Sequence, residues 1–522
     1  MKKQLFLFLT FLLLQNQLNA QQKTNNIPGT SKYPNCVFYE IFIRSFYDSN
    51  GDGIGDINGI AQKLDYLQTL GVQGLWITPV NPSPSYHKYD VTDYYNIDKE
   101  YGTLNDYKTL IKEAHKRNIK LLMDMVINHC SSQHPWFKDA VANPKGEYRN
   151  YFVWKNPAEV TDEKDHWYVI RNNRAENLIH AQNFQPGEQA YYGFFSSEMP
   201  DLNYDNPKVR SEMIKAGKFW FQEVGVDGYR LDAAKWIFPP GEETKNYAWW
   251  QEFTAAMRNV KPDAFFVGEI TDSYSLTAPY LKNALTSVFN FDLGFDLIES
   301  LKEEKDTSIV NLVKTSRDYF LKASPQFIDA TFITNHDQNR IGSEMQGNIQ
   351  KMKLAAAILL TLPGSPFVYY GEEIGMLGTK PDENIREPFL WNTIDKDLNR
   401  CKWMTPKFST DTTVVPLALQ IGDVNSIYDH YKKLIELRNA NRVLNSGNIQ
   451  SVNFNDDELL AYNRILGENS LLVIHNLTGK SKTVELKSLS KKYSHIIYSS
   501  KINSEFDGTS INIVPYQSVV LQ

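Results

Sequence analysis

Four short stretches of the 522-residue sequence end in groups that can attack carbon or move protons. They are Asp124-Met-Val-Ile-Asn128-His129, Gly228-Tyr-Arg230-Leu-Asp232, Gly268-Glu269 and Asn335-His336-Asp337. Each closes a run rich in β-branched or aromatic residues. A buried strand end is a costly place for an unpaired carboxylate, so Asp232, Glu269 and Asp337 read as working groups rather than solvated charges. Carboxyls gathered at such ends could serve as nucleophile, general acid and general base. Arg230 stands two residues before Asp232, on the same face of an extended strand, where its charge would pair with that carboxyl and favour its ionised form.

A second cluster follows the first run: Asp48-Ser-Asn50-Gly-Asp52-Gly-Ile54-Gly-Asp56. Side-chain oxygens on alternate residues, with glycines allowing a tight curl, make a loop that can wrap a hard cation such as Ca2+. Its start resembles an EF-hand loop, but the bidentate Glu that an EF-hand places at its twelfth position is missing.

The elements that must position these groups follow from the alternation of short apolar runs with longer amphipathic stretches. Strands are expected over 37–43, 74–77, 120–126, 228–231, 264–268, 287–291, 328–333 and 366–370, with helical spacing over 106–117 and 207–224. Eight β/α units in this order predict a closed (β/α)8 TIM barrel, whose chemistry sits at the C-terminal ends of its strands. The interval between Cys130 and about Asn206 breaks the rhythm: it is loop-like, rich in Trp and Tyr, and far longer than an ordinary connection. It is expected to form an inserted subdomain after strand 3. Past the helical stretch 426–439, shorter alternating runs predict a C-terminal β-sandwich. The expected division is a signal segment over 1–20, barrel over 35–130 and 207–444, inserted subdomain over 131–206, and sandwich over 445–522.

In this order the strand-end motifs resemble the consensus regions of the α-amylase family of glycoside hydrolases, and Met199-Pro-Asp-Leu-Asn203 resembles an additional region of the family in its neopullulanase-like form. The resemblance runs from about Val37 to the C-terminus. It implies a retaining hydrolase in which Asp232 attacks the anomeric carbon, Glu269 acts first as acid and then as base, and Asp337 holds the distorted sugar ring. Retention requires the two reacting carboxyls to lie about 5–5.5 Å apart, which two neighbouring strand ends can provide. The resemblance also implies hydroxyl contacts from His129 and His336, and stacking and hydrogen bonding from Tyr89 and Asp90. It gives Arg230 to the nucleophile and Lys235 to the acceptor-side sugar. It makes Asp48, Asn50, Asp52, the Ile54 carbonyl and Asp56 a structural calcium site. A second family calcium site could draw on Asn128 and Asp201.

Ala233, the small residue after the nucleophile, goes in the family with cleavage of α-1,4 bonds, where Val goes with α-1,6 bonds. Trp236 departs from the His common at its position. The expected substrate is starch, a maltooligosaccharide or a related α-glucan. A 4-α-glucanotransferase, or an α-1,6-active oligoglucosidase or neopullulanase, would share the same catalytic residues. Transporter-associated relatives that have lost catalysis lack the carboxylates, which this chain keeps.

Composition sets the surroundings. Acids and bases are mixed along the chain to a net charge of −6, which excludes a nucleic-acid surface. Lys2-Lys3, the apolar run from Leu5 to Leu14, and Leu18-Asn19-Ala20 read as a cleaved export signal, so a secreted or periplasmic protein is expected. No later segment approaches the roughly 20 apolar residues of a spanning helix. Three cysteines, Cys36, Cys130 and Cys401, cannot all pair within the chain and have no metal-ligand spacing. The short lead before the barrel leaves no room for the N-terminal domain through which some relatives dimerise, so a monomer is expected.

Overall fold

The computed structural model describes residues 33–160, 166–171, 174–177, 187–487, 489, 491–501 and 505–522; the expected export signal lies outside them. Eight strands form one parallel sheet: β1 (Phe38–Ile41), β2 (Gly74–Ile77), β3 (Lys120–Met125), β4 (Gly228–Leu231), β5 (Phe265–Gly268), β6 (Ser287–Val288), β7 (Ala330–Phe332) and β8 (Ser365–Tyr369). Each pairs with its neighbour in sequence, β1 pairs with β8, and a parallel bridge between Phe289 and Ala330 joins β6 to β7. The ring is therefore closed. All eight expected strands are present, several shorter at their ends than the apolar runs.

The alternation of side chains along these strands builds the site. One set, including Phe38, Trp76, Leu122, Phe265, Val267, Phe332 and Phe367, packs together inside the ring. Phe38 and Phe367 stack there with centroids 4.5 Å apart. The alternate set, including Tyr39, Leu75, Leu121 and Tyr229, faces the helices. A Cβ on Gly74 would come within 2.3 Å of the Phe38 ring, so that glycine is required by the packing. One step of two residues toward the C-terminal ends, the inward positions change from aromatic to charged: Glu40, Asp124 and Arg230 stand above Phe38, Leu122 and Gly228. The register sets Asp124 of β3 directly beside Arg230 of β4. An aromatic floor thus carries a layer of buried charge.

The surrounding helices start where capping chemistry allows. The helix Leu104–Lys116 opens on a Thr103–Asp106 capping box, and Pro207–Phe219 opens on Asn206 with proline in its first turn. The latter ends in a π turn, Trp220–Val224.

Between β3 and β4 the chain forms the helix Pro135–Ala142 and a four-stranded antiparallel sheet, in the order Trp154–Lys155, Ala190–Tyr192, Trp167–Arg171, Arg174–Asn177. The long aromatic interval therefore has a sheet of its own, where the sequence reads only as loop. The C-terminal region holds β9 (Asn448–Ser451), β10 (Leu459–Leu466), β11 (Asn469–Asn476), β12 (Lys482–Glu485), β13 (Ile496–Ser499), β14 (Ser510–Ile513) and β15 (Ser518–Leu521). A five-stranded sheet, β9-β10-β11-β15-β13, shares a core with the β12–β14 pair through Leu472, Ile474, Val484 and Ile511. Its opposite face, with Leu460, Tyr462 and Val473, joins the main core of the barrel. Cys36, Cys130 and Cys401 are all free and buried. No helix among the described residues is long and apolar enough to cross a membrane.

Candidate active site

The charged layer opens into a cavity of about 250 Å3 bordered by Tyr89, His129, Phe195, Asp232, Glu269 and Asp337. Arg230 organises it from below. Its Nη1 donates to Asp124 Oδ1 at 2.9 Å and to Asp232 Oδ1 at 2.5 Å, and its Nη2 donates to Glu269 Oε2 at 2.8 Å. Two strand-end carboxyls, Asp232 and Glu269, are thereby held on one guanidinium. The side chain of Asp232 is 9% exposed and that of Glu269 is 26% exposed.

One cation serving three carboxyls has a consequence that differs from the sequence expectation. Burial pushes the Asp232 carboxyl well above the usual range; Arg230 opposes this, but Glu269 and Asp124 add to the rise. Arg230 is bonded to Asp232 as expected, but its charge is divided among three carboxyls.

Asp337 meets different neighbours. Burial would raise it, but His336 and Arg386 bring it down to about 2. Arg386 Nη2 donates to Asp337 Oδ1 at 2.8 Å and to Asp382 Oδ2 at 3.0 Å. His336 lies between acids, its Nδ1 2.6 Å from Glu40 Oε1 and its Nε2 3.2 Å from Asp337 Oδ2. Burial opposes its protonation, but Asp337 and Glu40 prevail and raise it. Tyr89 stacks on His336 with rings 6° from parallel, and its hydroxyl donates to Asp124 Oδ2 at 3.0 Å. Burial lowers His129 to about 4, so its ring is neutral near pH 7. The Asn128 amide donates to its Nδ1, leaving Nε2 to donate to the Tyr89 carbonyl at 3.1 Å.

Three expected contacts are placed otherwise, the first being His336, which is fully buried and does not border the cavity. Asp90 does not border the cavity: its Oδ1 accepts from the hydroxyls of Ser83 and Ser85 and its Oδ2 from Ser131, so it braces the loop that carries Tyr89. Lys235 also stands outside the cavity, with Nζ donating to the Thr271 carbonyl at 2.7 Å and to Asp272 at 3.2 Å. Sequence reasoning did not single out Glu40, Arg386 or Phe195. Glu40 follows the inward register of β1, a usable signal. Arg386 and Phe195 come from irregular loops whose paths no periodicity reveals.

The loop from Asp48 to Asp56 offers only oxygen donors, as a hard cation requires. Asp48 and Asp56 are 2% and 4% exposed, and neither has a Lys, Arg or His partner among the described residues. Their oxygens accept loop N–H groups instead: Asp48 from Asn50, Gly51 and Gly53, and Asp56 from Ser49 and Gly59. Asp52 accepts from Ile54 N–H. Among the described residues no three acidic, His or Cys groups converge on a metal position. The donor types therefore fit Ca2+, whereas their convergence is not displayed. Asn128 and Asp201 face each other at 3.4 Å; burial raises Asp201 to about 8, and Asn128 Oδ1 is buried without a partner.

A closed parallel barrel with paired carboxyls at adjoining strand ends defines an enzyme of the glycoside hydrolase class. The profile described as alpha amylase, catalytic domain, matches residues 40–447, and that of the alpha-amylase SusG C-terminal domain matches residues 459–520. The chain belongs to the α-amylase family. It is 42% identical over 490 residues to alpha-amylase 3 of Dictyoglomus thermophilum, covering 94% of this chain and 93% of that one. It is 32% identical to a 4-alpha-glucanotransferase of Thermotoga maritima, covering 86% and 97%. Among solved structures, an alpha-amylase from H. orenii superposes with a TM-score of 0.82 at 38% identity, covering 93% of this chain and 98% of that one.

Proposed function

We propose that this enzyme hydrolyses α-1,4-glucosidic bonds of starch and maltooligosaccharides with retention of configuration. The observation that carries the reading is the sharing of Arg230 by Asp232 and Glu269, which holds a nucleophile and a proton donor against one sugar position. Asp232 attacks the anomeric carbon while Glu269 protonates the departing glycosidic oxygen. Water then enters from the vacated side, Glu269 takes its proton, and the glycosyl ester on Asp232 is cleaved. Asp337, kept ionised by Arg386 and His336, accepts hydroxyls of the bound ring, while His129 and the Tyr89 ring face wall the cavity. Alpha-amylase 3 of Dictyoglomus thermophilum supports hydrolysis, while the glucanotransferase relative makes transfer to a second sugar the competing outcome. Incubation with maltotriose, starch, pullulan and isomaltose tests both. The reading expects α-anomeric products no longer than the substrate from maltotriose and starch. Longer maltooligosaccharides as main products would assign a transferase.

The reading includes structural Ca2+ at Asp48, Asn50, Asp52, Ile54 and Asp56, supported by buried carboxylates without cationic partners, and a second position at Asn128 and Asp201. It also includes export directed by residues 1–20 and a monomeric state in solution, tested by N-terminal sequencing of secreted protein and by sedimentation.

A further inference from the structure

Glu40 takes no direct part in the reaction at Asp232 and Glu269, yet it is a buried acid in the layer that carries them. It is 1% exposed, stands above Phe38 on the inward face of β1 and does not border the cavity. Its carboxylate grips His336 twice. Oε1 accepts from the ring Nδ1 at 2.6 Å and, more loosely, from the His336 backbone N–H at 3.4 Å. The carbonyl of His336 accepts in turn from Arg386 Nε at 2.9 Å, so ring and peptide are both clamped. The ring also packs edge-on against Trp76 at 5.4 Å and flat against Tyr89 at 5.5 Å, and cannot turn without displacing one of them.

The partners fix where the protons of His336 stand. Nδ1 faces a carboxylate oxygen, which accepts, so it carries hydrogen. Nε2 lies 2.7 Å from the Tyr89 hydroxyl and 3.2 Å from Asp337 Oδ2. The single hydroxyl proton of Tyr89 is directed to Asp124 Oδ2, which leaves that oxygen as an acceptor toward Nε2. Both ring nitrogens donate, and His336 is an imidazolium. Burial and Arg386 oppose its charge, whereas Asp337, Glu40 and, from β3, Asp124 favour it. Around Glu40, burial raises the carboxyl, His336 and Arg230 oppose the rise, and Asp337 adds to it; Tyr369 and Glu372 also feel its charge. Because Glu40 anchors the Nδ1 hydrogen, the proton that leaves as pH rises is the one on Nε2. Asp337 Oδ2 would then face a lone pair in place of a donor.

We propose that Glu40 is a positioning residue for the glycosidase reaction: by holding His336 through its ring and its backbone, it aims the adjoining Asp337 carboxylate and the Tyr89 ring at the sugar in the cavity. The proposal rests on the hydrolase reading of that cavity. Glu40 touches no substrate, and its effect reaches the sugar only through His336.

Glu40→Gln keeps the shape and an acceptor oxygen but removes the charge, whereas Glu40→Asp keeps the charge at shorter reach. In the full chain acting on maltoheptaose, Glu40→Gln should lower kcat/KM at pH 7 by about tenfold. It should also move the alkaline limb of the pH profile at least about one unit lower, because an imidazolium without its anionic neighbour loses its proton sooner. Glu40→Asp should return the limb toward its wild-type position. Ring-nitrogen resonances of isotopically labelled histidine, with His336 assigned from His336→Gln, should show two N–H groups in the wild type at pH 7, and loss of one at lower pH in Glu40→Gln. A loss of activity uniform across pH, with the limb unmoved, would make Glu40 a structural residue only and overturn the proposal. An unchanged profile would overturn it too, as would a wild-type His336 with a single N–H at pH 7. Should Glu40→Gln fail to fold, the wild-type resonances and the Glu40→Asp profile decide. A wild type without activity on any glucan would refute the hydrolase reading, while the His336 resonances would still decide whether Glu40 holds the ring charged.

Discussion

The backbone N–H of Ala233 donates to Oε2 of Glu269 at 3.0 Å, tying the residue after one strand-end carboxyl to the carboxyl of the next strand. Ala233 makes this bond from the left-handed region, with φ of 47°. A Cβ-branched residue is a poor occupant of that conformation. Branching at this position would therefore disturb the aim of the proton donor. The wild-type enzyme should cleave maltotriose at least about tenfold faster than isomaltotriose by kcat/KM, a difference of about 1.4 kcal/mol. Ala233→Val should lower the maltotriose value and narrow the ratio, whereas Ala233→Gly should retain most activity. Parity between the two sugars in the wild type would show that Ala233 does not set the linkage.

Arg230 is the sole guanidinium contacting Asp124, Asp232 and Glu269 among the described ion pairs. A lysine ammonium lacks the planar fork that spans these carboxyls. Arg230→Lys should therefore lower kcat on maltoheptaose by at least about 100-fold, the scale of a lost preorganised electrostatic contact. Lysine keeps a cation in place but leaves part of the three-carboxyl cluster without a donor, so the melting temperature should fall. Near-normal kcat would remove Arg230 from the account.

The barrel was legible because short apolar runs closed by polar residues alternate with longer amphipathic stretches such as the helix Leu104–Lys116. Asp232, Glu269, Asp337, Tyr89 and His129 could be found because each lies in a compact motif, and the structure brings all five to one cavity. Asp90 and Lys235 lie in motifs too, but a motif fixes neighbours along the chain and leaves the direction of a side chain open. Arg386 reaches Asp337 from a loop after β8, a contact between residues 49 positions apart that no local pattern announces. The sheet inside the inserted segment was missed because its short strands, such as Trp154–Lys155, are too brief to display alternation.

A buried acid after β8 gives a dependence of stability on pH. Glu372 is buried and accepts from Thr334 Oγ1 at 3.0 Å; burial raises it to about 8. The folded state therefore keeps a proton that the unfolded chain releases in the ordinary carboxyl range. Its contribution to stability is fully present below that range and is lost as pH rises through about 8. Glu372→Gln should raise the melting temperature at pH 8 relative to wild type and change it less at pH 5. Equal shifts at both pH values would contradict this assignment.

If the Asp48–Asp56 loop binds Ca2+ only when folded, excess calcium should raise the melting temperature by mass action. Asp48→Asn should remove most of that increment, because Asp48 is the buried acid bonded to three loop N–H groups. Identical melting curves with calcium and after exhaustive chelation would contradict a structural metal.

Covalent trapping tests the central claim most directly. The full chain is treated with a 5-fluoro-α-glucosyl fluoride, which slows hydrolysis of a glycosyl ester, then digested and sequenced by mass spectrometry. The account predicts one glucosyl-bearing peptide with the sugar on Asp232, and no labelling of the Asp232→Asn protein. A label on another carboxyl, or full starch hydrolysis by the Asp232→Asn protein, would contradict it.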